Sequence, residues 1–335
     1  MKNGCVIGMG AVGPIHAAAL QERGSLYGVC DNQPERLARF LPEDTNIRRF
    51  ADFAEVLNDP EVEVVHICTP HFLHAKMTRA ALAAGKQVVL EKPAAMCAEE
   101  FEDLRQYAAK SAGRVCVMLQ NRTNPAVVKM KELLENDRHL GKLMGLTGFL
   151  TWCRDAAYYA QDAWRGKWKT EGGGLLINQA IHTLDLMGYL GGKVISVQGS
   201  ISNKTLQGVI EVEDTADAVM ETENGLRLCF YATNGCRYSR PMYLEAQLEH
   251  GVLRYADNRL YQITEEDCQV LAYDRPDCPG KACWGGGHRT VIADFYRYLE
   301  TGKGWYLTLE DAVPAMEVLF AFYQSAKENK KINLL

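Results

Sequence analysis

Gly4-Cys5-Val6-Ile7-Gly8-Met9-Gly10-Ala11-Val12-Gly13-Pro14 is the stretch that decides the first half of the chain. A short apolar strand runs straight into GxGxxG. Pro14 then suits the first turn of a helix through Ala17-Ala18-Ala19-Leu20. Glycines at these places permit a tight turn and a close approach of backbone to a pyrophosphate, whose charge the helix N-terminus meets. The string alone is common, so its weight comes from the residues after it. A second strand, Leu26-Tyr27-Gly28-Val29-Cys30, ends in Asp31, 18 residues after Gly13. That suits the acid expected about 20 residues on, which binds the ribose hydroxyls. The plainer reading of Asp31 is a turn or cap residue ahead of Pro34. With both halves present, Gly8, Met9, Gly10, Ala11, Val12, Gly13 and Asp31 are expected to hold a dinucleotide. An acid at 31 repels a 2′-phosphate, which favours NAD over NADP.

The strand–helix alternation continues outward. Val62 to Cys68 reads as a buried strand stopped by Thr69-Pro70, His71 to Ala84 as a helix closed by Gly85, and Gln87 to Leu90 as the next strand, ending in Glu91-Lys92-Pro93. A helix from Ala98 to Lys110 and a strand from Arg114 to Leu119 come next. Strands separated by helices imply an α/β Rossmann domain with a doubly wound parallel sheet. Ligands gather at the carboxyl ends of such strands, so Thr69, Pro70, Glu91 and Lys92 should border the cofactor. Past residue 123 the pattern turns β-rich, with a strong hairpin signal at Asn224-Gly225. The expected organisation is a dinucleotide-binding domain over 1–122 and an α+β domain with an open, mostly antiparallel sheet over 123–335.

Bulk properties narrow the function. With 335 residues, 47% of them hydrophobic, two cores can be built. A formal net charge of −5 and the lack of any Lys/Arg-dense stretch argue against nucleic acid as a partner. No apolar run approaches a membrane span, and no signal-peptide pattern precedes the first strand, so a cytoplasmic location is expected. The 11 cysteines are scattered; Cys278 and Cys283 lack CxxC spacing, and no metal site is expected.

Gly172-Gly173-Gly174 then leads into the apolar run Leu175-Leu176-Ile177-Asn178-Gln179-Ala180-Ile181-His182-Thr183-Leu184-Asp185. At about 100° per residue, Asn178, His182 and Asp185 fall within about 60° on one helix face. Polar groups on a greasy helix are costly without a partner or a purpose. The plain alternative is a core histidine tied to Asp185.

Together these residues resemble the Gfo/Idh/MocA oxidoreductases, a family that includes glucose–fructose oxidoreductase and inositol dehydrogenase. The resemblance covers essentially the whole chain. It rests on Gly8 to Gly13, Thr69-Pro70-His71 with His74, Ala80 to Lys86 leading into Glu91-Lys92-Pro93, the triple glycine with Asn178 and His182, and Trp284-Gly285 before His288. It implies that Thr69, Pro70, His71, His74, Glu91 and Lys92 line an NAD site. It further implies that His182 takes a hydroxyl proton as general base while Lys92 holds the substrate oxygen, with Asn178 beside them. Many members carry aspartate where this chain has Asn178. Asp185, on the same face, is one candidate for the missing charge; the other reading is that Asp185 only anchors the helix.

The loop before the glycines holds Tyr158, Tyr159, Trp164, Arg165, Lys167, Trp168 and Lys169, aromatics that stack on sugar rings and cations that read anions. Trp164, Arg165 and Asn121 join Lys92, Asn178 and His182 as expected substrate contacts. Arg122 could also face the cleft, and His288 either faces it or caps the helix that it opens. The expected activity is hydride transfer between NAD and a hydroxyl or carbonyl of a sugar, sugar derivative or cyclitol. The alternatives are a non-catalytic dinucleotide or sugar sensor and an NAD-dependent glycoside hydrolase. A homodimer or homotetramer is expected by family analogy.

Overall fold

The computed structural model describes residues 1–41, 46–136, 139–275 and 286–334. Cys278, Cys283, Trp284 and Gly285 lie outside them. The chain divides into two compact units: Met1–Met118 with His288–Ala312, and Leu119–Gly287 with Val313–Leu335.

The first unit is built on six strands: β1 (Gly4–Ile7), β2 (Leu26–Cys30), β3 (Arg48–Phe50), β4 (Val64–Ile67), β5 (Gln87–Leu90) and β6 (Val115–Val117). They form one parallel sheet in the order β3-β2-β1-β4-β5-β6. Cys5, Val6, Val64, Val65, Ile67, Val88, Val89 and Leu90 are buried almost completely, as strands covered on both faces must be. Five helices connect them: α1 (Gly13–Arg23), α2 (Pro34–Phe40), α3 (Phe53–Asn58), α4 (His74–Ala83) and α5 (Ala98–Ala109). Strand order reverses between β1 and β4, which is where this architecture binds ligands. Gly8 ends β1 at that point with φ +91°. A Cβ there would sit 2.6 Å from the Cys68 carbonyl oxygen, so only glycine fits. Strand β3, preceded by polar residues and only three residues long, has no sequence signal of its own.

In the second unit, α6 (Pro125–Asn136) leads into β7 (Leu143–Thr151). Then come α7 (Ala156–Ala160), α8 (Trp168–Glu171) and α9 (Ile181–Gly191), and after them β8 (Val194–Ser202), β9 (Thr215–Thr222), β10 (Arg227–Thr233), β11 (Tyr243–Leu248), β12 (Gly251–Ala256), β13 (Arg259–Ile263), β14 (Cys268–Tyr273) and β15 (Ile332–Asn333). The nine strands form one sheet in the order β14-β13-β12-β11-β7-β10-β9-β8-β15, antiparallel throughout except for β7 against β10. One face is apolar: Leu146 and Leu150, Ala216 and Met220, Leu228 and Phe230, and Leu244 and Ala246 are buried at alternating positions. Helix α9 packs against β7.

The start of α6 is secured from a distance. Asp274 accepts the Ala126 N–H at 2.8 Å and the Tyr255 O–H at 2.8 Å, so one buried carboxylate ties a helix terminus to β12. Asp274→Ala removes that cap and one hydrogen-bond partner of the Tyr255 hydroxyl. It should lower unfolding free energy by about 2 kcal/mol, read as a lower urea midpoint at unchanged slope.

Candidate active site

In the first unit the glycine turn joins β1 to α1. The Gly8 N–H donates to the Cys30 carbonyl at 2.8 Å, and a Cβ on Gly13 would fall 2.1 Å from the Gly8 carbonyl oxygen. By contrast, a Cβ on Gly10 would meet nothing nearer than an Arg36 nitrogen at 3.6 Å, so this side of the turn is open. Val12 precedes α1 without a side-chain cap, and the proline lies in the first turn. The leading N–H groups are therefore not claimed by a capping side chain, as pyrophosphate binding needs. Asp31 ends β2 with one oxygen 2.7 Å from the Met9 N–H and the other 2.9 Å from the Gln33 N–H. These residues fit a dinucleotide.

Thr69, Pro70, Glu91 and Lys92 stand just past the carboxyl ends of β4 and β5, as expected. His74 lies between two acceptors, the Pro93 carbonyl 2.7 Å from Nδ1 and the Thr69 carbonyl 2.8 Å from Nε2, and a neutral ring donates to one of them. His71 is buried beside it. The carboxylate of Glu91 turns inward. It lies 3.0 Å from His16 Nε2 and 3.6 Å from His288 Nε2, and its backbone neighbour Lys92 donates its N–H to it at 3.2 Å. Burial would raise the Glu91 pKa, but the two histidines outweigh it and hold the group well below the usual range. His16 continues to His66 at 3.0 Å, and His66 to the Tyr296 hydroxyl at 3.1 Å. His288 is thus part of a buried polar chain rather than a cleft residue, and Glu91 acts on the strand end from beneath. Lys92 is half-buried.

In the second unit a π-helical segment, Leu176–Ala180, precedes α9, so the 3.6-residue period used to place Asn178 against His182 does not hold across it. Asn178 is buried, and its amide nitrogen donates to Glu171 Oε1 at 2.6 Å. His182 is half-buried with Nε2 at 3.4 Å from the Gln120 amide nitrogen. Asp185 lies on α9, three residues beyond His182. It holds Arg122, whose Nε lies 3.0 Å from Oδ2 and whose guanidinium reaches Oδ1 at 2.5 Å, while the same guanidinium covers the Tyr189 ring. This pair ties Arg122, next to Asn121, to α9. Asn121 is buried, and its Oδ1 and Gln120 Oε1 lack a hydrogen-bond partner among the described residues.

Arg165 stacks over Trp164 and Tyr158 and donates to the Tyr158 hydroxyl at 2.7 Å. The Gln179 amide donates to the same hydroxyl at 3.2 Å, and Asn234 donates to Gln179 at 3.2 Å and to Tyr159 at 3.1 Å. The loop is therefore joined to the π-helical segment by side chains, with Trp164 and Arg165 half-buried and Lys167, Trp168 and Lys169 exposed.

Two buried acids that spacing did not mark organise the segment. Glu171 takes the Asn178 amide, and Glu213 collects the N–H groups of Gly174 at 3.0 Å and Leu176 at 2.9 Å and the Tyr323 hydroxyl at 2.9 Å. Gly174 lets the Glu213 backbone come close, since a Cβ would meet its carbonyl oxygen at 2.1 Å. Burial pushes the Glu213 pKa up to about 7, against the pull of those donors. Glu171 at least sits beside the triple glycine in sequence. Glu213 is 39 residues beyond Gly174, and only the fold brings it there.

The family model described as the oxidoreductase family, NAD-binding Rossmann fold, matches residues 2–119, and the GFO/IDH/MocA C-terminal domain matches residues 127–254. The first unit is thus an NAD-binding Rossmann fold. The chain belongs to the Gfo/Idh/MocA family of oxidoreductases. It is 31% identical to the scyllo-inositol 2-dehydrogenase (NAD(+)) of Bacillus subtilis over 98% of this chain and 95% of that protein. A 30% match to the levoglucosan dehydrogenase of Pseudarthrobacter phenanthrenivorans covers 59% of this chain and 53% of that protein, so the alignment spans about half of that relative's length. Among solved structures, the WlbA dehydrogenase of Bordetella pertussis in complex with NADH and UDP-GlcNAcA superposes with a TM-score of 0.86 at 25% identity, covering 100% of this chain and 99% of that one. No described helix is long and apolar enough to cross a membrane.

This geometry has two measurable outcomes. Asp31→Ala should weaken NAD binding by about tenfold and leave NADP binding unchanged or improved, measured by fluorescence titration with the reduced cofactors. Glu213 binds its proton more tightly folded, at about 7, than at the 4.5 of an ordinary glutamate. Its stabilising contribution is therefore complete below 4.5 and falls as pH rises toward 7. The decline should amount to about 3 kcal/mol in chemical unfolding between these limits, and Glu213→Gln should remove it.

Proposed function

We propose that the chain is an NAD-dependent dehydrogenase acting on a hydroxyl-bearing carbon of a sugar, sugar derivative or cyclitol. The observation that carries this reading is the setting of His182. The Gln120 side-chain amide lies 3.4 Å from His182 Nε2, and a neutral ring with its proton on Nδ1 presents the Nε2 lone pair there. That leaves Nε2 as the basic atom of the ring, and a contact of 3.4 Å yields readily to a substrate hydroxyl. The scyllo-inositol and levoglucosan dehydrogenases among the relatives support a polyol or sugar as substrate.

His182 Nε2 then takes the hydroxyl proton as the carbon is oxidised, and returns it in the reverse direction. NAD, when bound, would supply the acceptor or donor of the hydride. Lys92 holds the substrate oxygen with its ammonium and stabilises the charge that develops there. Asn178 hydrogen-bonds the substrate, and the aromatic–cationic group of Trp164, Arg165 and Tyr158 contacts the sugar ring or an anionic substituent. The proposed assembly is a homodimer or homotetramer through the outer face of the large sheet, where Phe149, Val219 and Tyr231 stay exposed.

The test is a screen of cyclitols, sugars and sugar acids with NAD and NADP, followed by absorbance of the reduced cofactor. The expected result is turnover with at least one member. His182→Asn and Lys92→Ala should each cut kcat by about 10²- to 10⁴-fold while NADH still binds. A sensor would bind cofactor without turnover, and a hydrolase would cleave a glycoside with no net NADH; either result overturns the reading.

A further inference from the structure

The Asn178 amide faces a carboxylate, and a carboxylate that accepts on both oxygens sets which end of an amide it meets. Glu171 is almost wholly buried. One of its oxygens accepts the backbone N–H of Gly166 and the other accepts the Asn178 side-chain N–H at 2.6 Å. The Gly166 N–H cannot be reversed, because it is backbone. The Asn178 NH2 therefore belongs on the Glu171 side, and Oδ1 lies on the opposite branch of the planar amide. Donating a hydrogen bond at 2.6 Å also polarises the amide and makes Oδ1 a better acceptor.

We infer that Glu171 is a positioning residue which makes Asn178 an acceptor of a substrate hydroxyl proton, so the Glu171–Asn178 pair does the work of a lone carboxylate at position 178. The inference rests on the dehydrogenase reading and adds the selectivity of the site. A substrate offering an O–H to Asn178 is accepted, and one offering only an acceptor there, such as an O-methyl ether or a carbonyl, is refused. The carboxyl oxygens of Glu171 stand one hydrogen bond back from position 178, where they accept the Gly166 and Asn178 N–H groups. The surrounding chain supports the arrangement. Helix α8 carries Glu171, the triple glycine turns the chain, and Glu213 pins Gly174 and Leu176, so that Asn178 comes back against Glu171 seven residues later.

Exchange of the pair tests this, because the two side chains can trade chemistry without changing size. In Glu171→Gln the Gly166 N–H claims the oxygen of the introduced amide, so its NH2 faces position 178 and drives the Asn178 amide to flip. Turnover of the best polyol from the screen should fall by about 10- to 100-fold in kcat, with little change in NADH affinity. In Asn178→Asp two carboxylates meet and share a proton, which should introduce a new pH dependence into kcat. The double variant, Glu171→Gln with Asn178→Asp, restores an acceptor at 178 facing a donor at 171. It should recover most of the lost kcat and the original pH profile.

A second readout does not depend on activity. The side-chain NH2 resonances that vanish in Asn178→Asp identify Asn178 in a ¹⁵N spectrum. Wild type should show one of its protons shifted downfield by the carboxylate, and Glu171→Gln should abolish that shift. Glu171→Gln at wild-type kcat, or a double variant no better than either single one, overturns the proposal. So does an Asn178 resonance indifferent to residue 171, even if the screen finds no substrate. A screen with no turnover alongside the expected resonance shift would instead refute the dehydrogenase reading and leave the orientation of the amide established.

Discussion

One buried carboxylate sets the second unit's candidate site. Glu213 lies on the stretch before β9 and gathers the N–H groups that a helix start leaves unpaired, together with the Tyr323 hydroxyl from the helix Leu309–Glu328. An acid at a helix N-terminus meets the positive end of the helix dipole. Burial opposes that and keeps the proton near neutrality, so the same group that locks the segment is also sensitive to pH. From this lock come the π-helical segment, the return of Asn178 to Glu171 and the placement of His182 beside Gln120. The acids replace what a regular helix cap would supply, and they do so where the chain departs from regular geometry.

The first unit reaches a similar end by a different route. Its strand ends are tied by histidines rather than by amides. His74 lies between the carbonyls after β4 and β5, while the chain Tyr296–His66–His16–Glu91 runs beneath Lys92. Such networks are costly if partly satisfied and rigid if complete. Here each ring nitrogen of His16 and His66 has a partner at 3.0 to 3.1 Å. Residues that a motif reading assigns to cofactor contact, Glu91 and His74, are in this structure the ones that hold the turn in place.

Much of this was legible in the sequence because local rules governed it. The glycine turn, Asp31 and β1, β2, β4, β5 and β6 depend on periodicity and on glycine spacing, and they appear where they were expected. The strands β3, β13, β14 and β15 were not legible. They are short or polar and lie at or near sheet edges, where pairing rather than hydrophobic alternation defines them. The one-face argument for Asn178, His182 and Asp185 left out two features of the fold. A five-residue π segment breaks the period, and Asp185 is claimed by Arg122, 63 residues away in sequence. Glu171 and Glu213 could not be found from spacing, since their partners are set by tertiary contact.

The central claim is that this chain moves a hydride from a carbinol carbon to NAD. Mass spectrometry of the cofactor, after incubation with a panel of polyols and sugars deuterated at carbon, tests it most directly. The account predicts a reduced nicotinamide carrying one deuterium with at least one panel member, formed about 10²- to 10⁴-fold more slowly when His182 is replaced by Asn. Cofactor that binds yet stays oxidised and unlabelled across the whole panel would contradict it.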